Sequence, residues 1–312
     1  MLNRRHIRIK VMQALYAVSK SNTTDFSQEK RYLKESISKV YDLYILLLSL
    51  LIEIRAMAET HQEIAKKKYL ATEEDINPNR KFIENKVLVG LQHNLSLKNY
   101  IETNKLTNWK QDSEYVRLIW DSIRESDVYA TYLNTVDQQK NEHLKFIEEI
   151  FKEIIAPNEK LFDYFESQNL TWVDDIPFVN TWFLKKMNTI NEDTIYSKNK
   201  LFKNNDDEEY FSELFNLYIE HHNEFTEDID KRTPNWDTDR IAEIDLILIK
   251  MALVEFFYFP SIPTRVTINE YIEIAKDYST TKSSFFINGV LDKLLKEYTS
   301  SNRIEKIGRG LL

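Results

Sequence analysis

An all-α fold is predicted for this chain by three features of its sequence. The 312 residues contain only 4 Gly and 6 Pro. Hairpins and Gly-rich βα turns draw on those residues, and helix interiors exclude them. Helix formers such as Leu, Ile, Glu and Lys dominate in their place. Apolar residues also recur at helical spacing in most of the long segments.

The first helix is expected over residues 4–20, with Ile7, Val11, Leu15 and Val18 on one apolar face. A polar break at 21–25 precedes a long helix over 28–69, apolar and aromatic at Tyr41, Leu43, Leu47, Leu50, Leu51 and Ile54. Asn77-Pro78, inside the turn 72–79, is expected to end one helix and start another. Several helices follow from 80 to 218, with breaks at 103–108, 134–138, 156–157, 174–177 and 198–207. The acidic run 206–209 suits a helix N-terminus, where carboxylates meet the positive end of the dipole.

A loop at 233–237 leads to a helix over 238–257 whose core side is Ile241, Ile244, Leu248, Met251, Ala252 and Phe256. Pro260 and Pro263 form a rigid connector. Helices over 267–278 and 282–297 follow, and 300–312 reads as a frayed, mildly basic tail.

Composition narrows the chemistry. A chain of this length can bury a sizeable core. The absence of cysteine excludes disulfides, thiolate metal sites and cysteine nucleophiles, and fits a reducing cytoplasm, the expected location. The basic N-terminus has no apolar run behind it, so no signal peptide is expected. The greasiest stretch, 43–54, is too short and too polar to span a bilayer. No phosphate-cradling glycine loop or HExxH pattern is present, and no cofactor is expected. The one metal-like cluster, His221 with Glu224, reads as a polar helix surface. The formal net charge of −8 opposes broad nucleic-acid affinity and leaves room for a local basic patch.

Three blocks, in order, resemble the NusB family of RNA-binding antitermination factors: RRHIRIKVMQALYA at 4–17, NWDTDRIAEIDLILIKMALVEFFYF at 235–259, and RVTINEYIEIAKDYSTTKSSFFINGVLDK at 265–293. The second contains a Lys-x-Ala-x-x-Glu pattern, and the third ends in FFINGVLDK. Departures are His6, where Arg is common, and Tyr278-Ser279 in place of an aromatic-Gly pair. Family members are less than half this length. The resemblance therefore implies two packed NusB-like helical bundles extended by a helical insertion: N-terminal helices at 1–70, the insertion at 71–225, a C-terminal bundle at 226–299 and a tail at 300–312.

The resemblance also implies a non-catalytic function. The protein would bind boxA RNA together with the ribosomal protein NusE and so act on the RNA polymerase elongation complex. Arg4, Arg5, Arg8 and Lys10 form a cationic cluster at a helix start. Cations are electrostatically misplaced there, which suggests an external anion. Lys250 and Arg265 are further basic candidates. The resemblance has Phe286 stack on a base. Asn288 is expected to brace a loop or touch RNA, and Gly289 to permit close helix approach. Asn269-Glu270 reads as a helix opening.

Asp239, Glu243 and Asp245 read as outward-facing; the resemblance carries the NusE contact to Asp245, and less directly to Asp239. A ribosomal RNA methyltransferase with this domain would need a cysteine and glycine-rich turns. A protein-interaction adaptor that has lost RNA binding is the alternative from another class, and a helical metalloenzyme is more distant.

Overall fold

The computed structural model describes residues 2–21, 25–135, 140–230 and 241–311, and these are helical without a β-strand. No helix among them is long and apolar enough to cross a membrane. Contacts divide the chain into two compact units, Met1–Ile37 with Phe202–Leu312 and Ser38–Leu201. The segments implied by the resemblance break elsewhere, at 70 and 225.

Helix α1 (Arg4–Lys20) is capped by Asn3, whose side chain accepts from the His6 amide. Helix α2 (Ser27–Ala65) is continuous and contributes to both units. It ends at Ala65 rather than 69.

The Ser38–Leu201 unit then runs through α3 (Glu73–Ile76), α4 (Lys86–His93), α5 (Leu95–Thr103), α6 (Asn108–Gln111), α7 (Ser113–Arg124), α8 (Asp127–Asn134), α9 (Lys140–Ile150), α10 (Glu159–Gln168) and α11 (Asp175–Lys186). Within the expected 72–79 turn, Thr72 and Asp75 form a capping box that holds the one-turn α3. No helix starts directly after Pro78; the next is α4, capped by Asn85. Stacked rings fill this unit's core, among them Tyr44 on Trp182 (4.6 Å), Phe151 on Phe183 (4.0 Å) and Tyr132 on Phe146 (3.9 Å).

The other unit joins α1 to α12 (Asn205–His221), α13 (Glu224–Asp230), α14 (Glu243–Tyr258), α15 (Thr264–Tyr278) and α16 (Ser283–Ser300). Asn204 caps α12, and Asp206 and Asp207 occupy its first turn as the acidic run predicted. Residues 231–240 lie outside the described residues, and with them the expected 233–237 loop and the expected start of the following helix. From Ile247 to Phe256, every residue of α14 except Lys250 is buried. Over that stretch the helix is the axis of its unit, enclosed on nearly all sides rather than on one.

Glu255 lies at the centre of that axis and is fully buried. Its Oε1 accepts from Arg8 Nε at 2.6 Å and from Tyr271 Oη at 2.8 Å, and also from Tyr210 Oη. Its Oε2 accepts from Arg8 Nη2 and Thr267 Oγ1, both at 2.9 Å. One carboxylate thus binds α1, α12 and α15 to α14. The Arg8 guanidinium also lies 5.6 Å from the centroids of the Tyr210 and Tyr271 rings. Burial pushes the Glu255 carboxyl up, but Arg8 and the hydroxyl donors more than reverse this and hold it below the usual glutamate range.

Two expectations are corrected here. Gly289 does not mediate a close approach: a Cβ built on it meets nothing within 4 Å. The tail is not frayed. Lys306 Nζ donates to the carbonyls of Glu255 and Phe259, each at 3.0 Å, and the Ile307 amide donates to Pro260 O at 3.1 Å. Gly310 packs so tightly that a Cβ there would stand 1.9 Å from Pro260 O. Carbonyls at the end of α14 and in the proline connector give the tail its acceptors, those of Glu255 and Phe259 while also accepting from the Phe259 and Ile262 amides.

Removing one partner of a buried ion pair strands the other charge, at a cost of about 3–5 kcal/mol. Glu255→Ala is expected to destabilise this unit by that amount in urea unfolding, and a loss below about 1 kcal/mol would contradict the hub. The contribution of Glu255 is complete above the ordinary carboxylate pKa of about 4.3 and fades as pH falls below it.

Burial pulls Lys306 down to about 8, against the pull of Glu255. An unfolded chain keeps that proton to about pH 10.4, so this lysine's penalty is relieved as pH rises through that window. Its side-chain NMR signals should titrate near 8, and a midpoint at the ordinary lysine value would show the ammonium to be solvated.

Candidate nucleic-acid interface

Within the α1 unit, an open cleft of about 910 Å³ is lined by Arg4, Arg5 and Arg8 from α1 and by Lys203, Asp206 and Asp207 around the start of α12. Ser261 to Pro263, Val266 and Glu270 of the connector and α15 complete it, with Arg309 of the tail. Asn3 caps α1 at this edge, so the helix begins with its arginines facing the cleft.

The arginines differ in environment. Arg4 Nε donates to Asp207 Oδ1 at 2.7 Å, and its guanidinium sits 5.1 Å from the Tyr210 ring centroid. Arg5 makes a two-pronged pair with Glu270 at 2.8 and 2.9 Å. The hydrogen bond to Glu270 raises the Arg5 pKa. The side chains of Arg4 and Arg5 nonetheless keep 35% and 44% of their surface exposed, so both can meet a ligand. Arg8 and Lys10 are 2% and 1% exposed. The expectation of an external anion for the Arg4, Arg5, Arg8 and Lys10 cluster is therefore corrected for Arg8: its anion is internal, and it is Glu255. Lys10 is likewise enclosed.

The remaining candidates spread along α14, α15 and α16. Arg265 is exposed on the first turn of α15, with no carboxylate partner among the described residues. Lys250 is half-buried; burial lowers its pKa while Asp230 opposes the shift. Phe286 is half-buried, and the exposed ring is its neighbour Phe285, at 79%. Asn288 is half-buried, and no side-chain hydrogen bond of it is formed among the described residues. The helix opens at Thr264, not at Asn269-Glu270, so Glu270 serves as the Arg5 carboxylate instead of a cap.

Asp245 does not face outward. It is 4% exposed and accepts from Ser279 Oγ at 2.6 Å, and Ser279 in turn contacts Ser283 at 2.9 Å. It thereby fastens the α15–α16 turn to α14. Ser279 stands where the resemblance leads one to expect glycine, and its hydroxyl is what Asp245 binds. Glu243 pairs with Lys20. Asp239 lies outside the described residues. His221 bonds Glu224 at 3.0 Å and stacks on Tyr258 at a centroid distance of 4.4 Å. No group of three potential metal ligands occurs among the described residues.

The arrangement thus pairs a cationic cleft with an exposed ring at the start of α16. The α15 helix connects them: at 1.5 Å per residue, the twelve steps from Val266 to Tyr278 cover about 18 Å. Glu255 and Glu270 organise the arginines, a task the sequence did not show: Glu270 read as part of a helix opening, and Glu255 only as the glutamate of the Lys-x-Ala-x-x-Glu pattern.

Residues 179–296 match the model of the NusB family. Three proteins named "Transcription antitermination protein NusB" are similar to this chain. The protein of Salinibacter ruber is 40% identical over 104 residues, 33% of this chain and 65% of its own length. That of Chloroherpeton thalassium is 40% identical over 104 residues, 33% of this chain and 49% of its own. That of Finegoldia magna is 42% identical over 93 residues, 30% of this chain and 68% of its own. The chain thus covers less than two thirds of the first two relatives. No solved structure matches it. The family match includes Lys250, Arg265, Phe286 and Asn288 and stops short of α1.

Exposed ion pairs contribute about 0–1 kcal/mol and stranded buried charges about 3–5. Arg5→Ala should therefore leave thermal and urea stability nearly unchanged, while Arg8→Ala should destabilise as strongly as loss of Glu255. Equal effects of the two substitutions would erase the distinction drawn between them.

Proposed function

The chain belongs to the NusB family, and from that membership we propose that it is a non-catalytic, RNA-binding transcription antitermination factor. Its RNA is of the boxA type, and NusE is its protein partner. Together they would act on the RNA polymerase elongation complex during ribosomal RNA transcription, in the cytoplasm.

The observation that carries this reading is that α1, outside the family match, packs with the matched helices α14 and α15 through Arg8 and Glu255. Its exposed arginines, Arg4 and Arg5, thereby line one cleft with them. In this reading Arg4 and Arg5 exchange or share their carboxylates with RNA phosphates. The strand then follows α15, passing Arg265 or the α16 start according to its direction. Phe285 and Phe286 offer stacking surface at that start, and base stacking contributes about 1–3 kcal/mol per base. Asn288 lies one turn further on. Arg8 and Lys10 act from beneath by holding α1 in place. Asp245 supports the partner surface by fixing the α15–α16 turn, and Asp239 precedes it in sequence.

One observation favours the adaptor reading: Arg4 and Arg5 already have carboxylate partners within the protein. Titration of a labelled boxA RNA, with and without NusE and across a salt series, separates the two. For single strands each phosphate contact adds about −0.7 to the slope of log K against log salt. Binding enhanced by NusE, with a flatter slope in Arg4→Ala and Arg5→Ala and weaker binding in Phe286→Ala, is expected. Affinity for boxA no greater than for a scrambled RNA, even with NusE, would leave the adaptor.

A further inference from the structure

The tail beyond the family match is built into the cleft. After α16 the chain turns at Asn302, with φ +52, and the Arg303 amide donates to Tyr298 O at 2.8 Å. The Arg303 guanidinium covers the Tyr298 and Phe257 rings, at 4.7 and 5.5 Å from their centroids. Lys306 and the Ile307 amide then fasten the segment to carbonyls of α14 and Pro260. Gly308 takes φ +54, a conformation that favours glycine. Gly310 fits against Pro260 only because it has no Cβ. Arg309 stands between these two glycines and lines the cleft.

The charges of the cleft decide what Arg309 does there. Arg4 has Asp207, Arg5 has Glu270 and Arg8 has Glu255. Lys203 and Arg309 are exposed and have no carboxylate partner among the described residues, and Asp206 is the one lining acid not engaged by an arginine. A chain with 50 acidic and 42 basic residues thus leaves two cations unpaired in a single cleft. A strap fixed at several points and dependent on two glycines positions one of them. That combination suits an anion with repeated charges lying along the cleft.

We propose that residues 301–311 form a phosphate clamp, in which Arg309, with Lys203 of the same cleft, contacts the backbone of a single-stranded RNA lying over Arg4 and Arg5. The proposal rests on the RNA-binding reading and adds two contacts to it. The clamp reads no bases, so its contribution is independent of sequence.

The test uses the full chain with a labelled single-stranded RNA, NusE present, across a salt series. Arg309→Ala and Lys203→Ala are each expected to flatten the log K against log salt slope by about 0.7, on boxA and scrambled RNA alike. Gly310→Ala should displace the strap and reproduce the Arg309→Ala slope, and combining the two should change nothing further. Lys293→Ala, on the exposed side of α16, should keep the parental slope. If Gly310→Ala does not fold, the Arg309→Ala slope decides alone. Parental slopes in Arg309→Ala and Lys203→Ala, with tight binding by the unaltered protein, would overturn the clamp and leave the RNA reading intact. Failure of the unaltered protein to bind any RNA would overturn both.

Discussion

The buried pair of Arg8 and Glu255 is the interaction on which the α1 unit depends. A guanidinium and a carboxylate removed from water each lose several kcal/mol of hydration, which only close, multiple hydrogen bonding can recover. Here the carboxylate receives two bonds from Arg8 and one each from Tyr210, Tyr271 and Thr267. The geometry admits one arrangement of α1, α12, α14 and α15, because any slip along a helix axis leaves a charge unpaired. An apolar contact would tolerate such slippage, and this network does not.

The proposed RNA contact rests on that fixed register. With Arg8 held beneath, the helical step brings Arg4 and Arg5 to the rim, each with a carboxylate within reach. The more exposed Arg5–Glu270 pair is weak in water and strongly dependent on salt, and the Arg4 pair, although its Asp207 is buried, leaves a third of the arginine side chain in solvent. They keep the arginines oriented without binding them so tightly that a phosphate could not compete. The same physics thus gives one arginine a structural task and leaves its two neighbours partly in solvent, as the proposed function requires. The tail extends the principle, since its lysine is spent on backbone carbonyls while its next arginine is left open.

The fold class was legible because it is a matter of local chemistry. Scarcity of Gly and Pro, the acidic run 206–209 at the start of α12 and helical periodicity in α1, α15 and α16 are properties of neighbours in sequence. The family membership was legible for a similar reason, in contiguous strings such as INEYIEIAK and FFINGVLDK. The bounds of α1 agree with the expectation at both ends, and those of α15 and α16 lie within three residues of it.

What the sequence could not supply was the partner of each charge. Arg8 and Glu255 are 247 residues apart, and Arg5 and Glu270 are separated by 265. A lysine or arginine at a helix start looks the same whether its anion is a ligand or a glutamate from the far end of the chain. Asp245 looked solvent-facing because its helix was read as amphipathic, whereas the residue is buried under the α15–α16 turn and bound by Ser279. Gly289 and Gly310 show the same limit: one stands in open space and the other against a carbonyl, and no local pattern separates them. By itself, then, the sequence determined the helices, their class and their family. The tertiary structure alone decided which cations are buried, which are paired at the surface and which have no carboxylate partner among the described residues, because burial and pairing are set by elements that meet only in the folded chain.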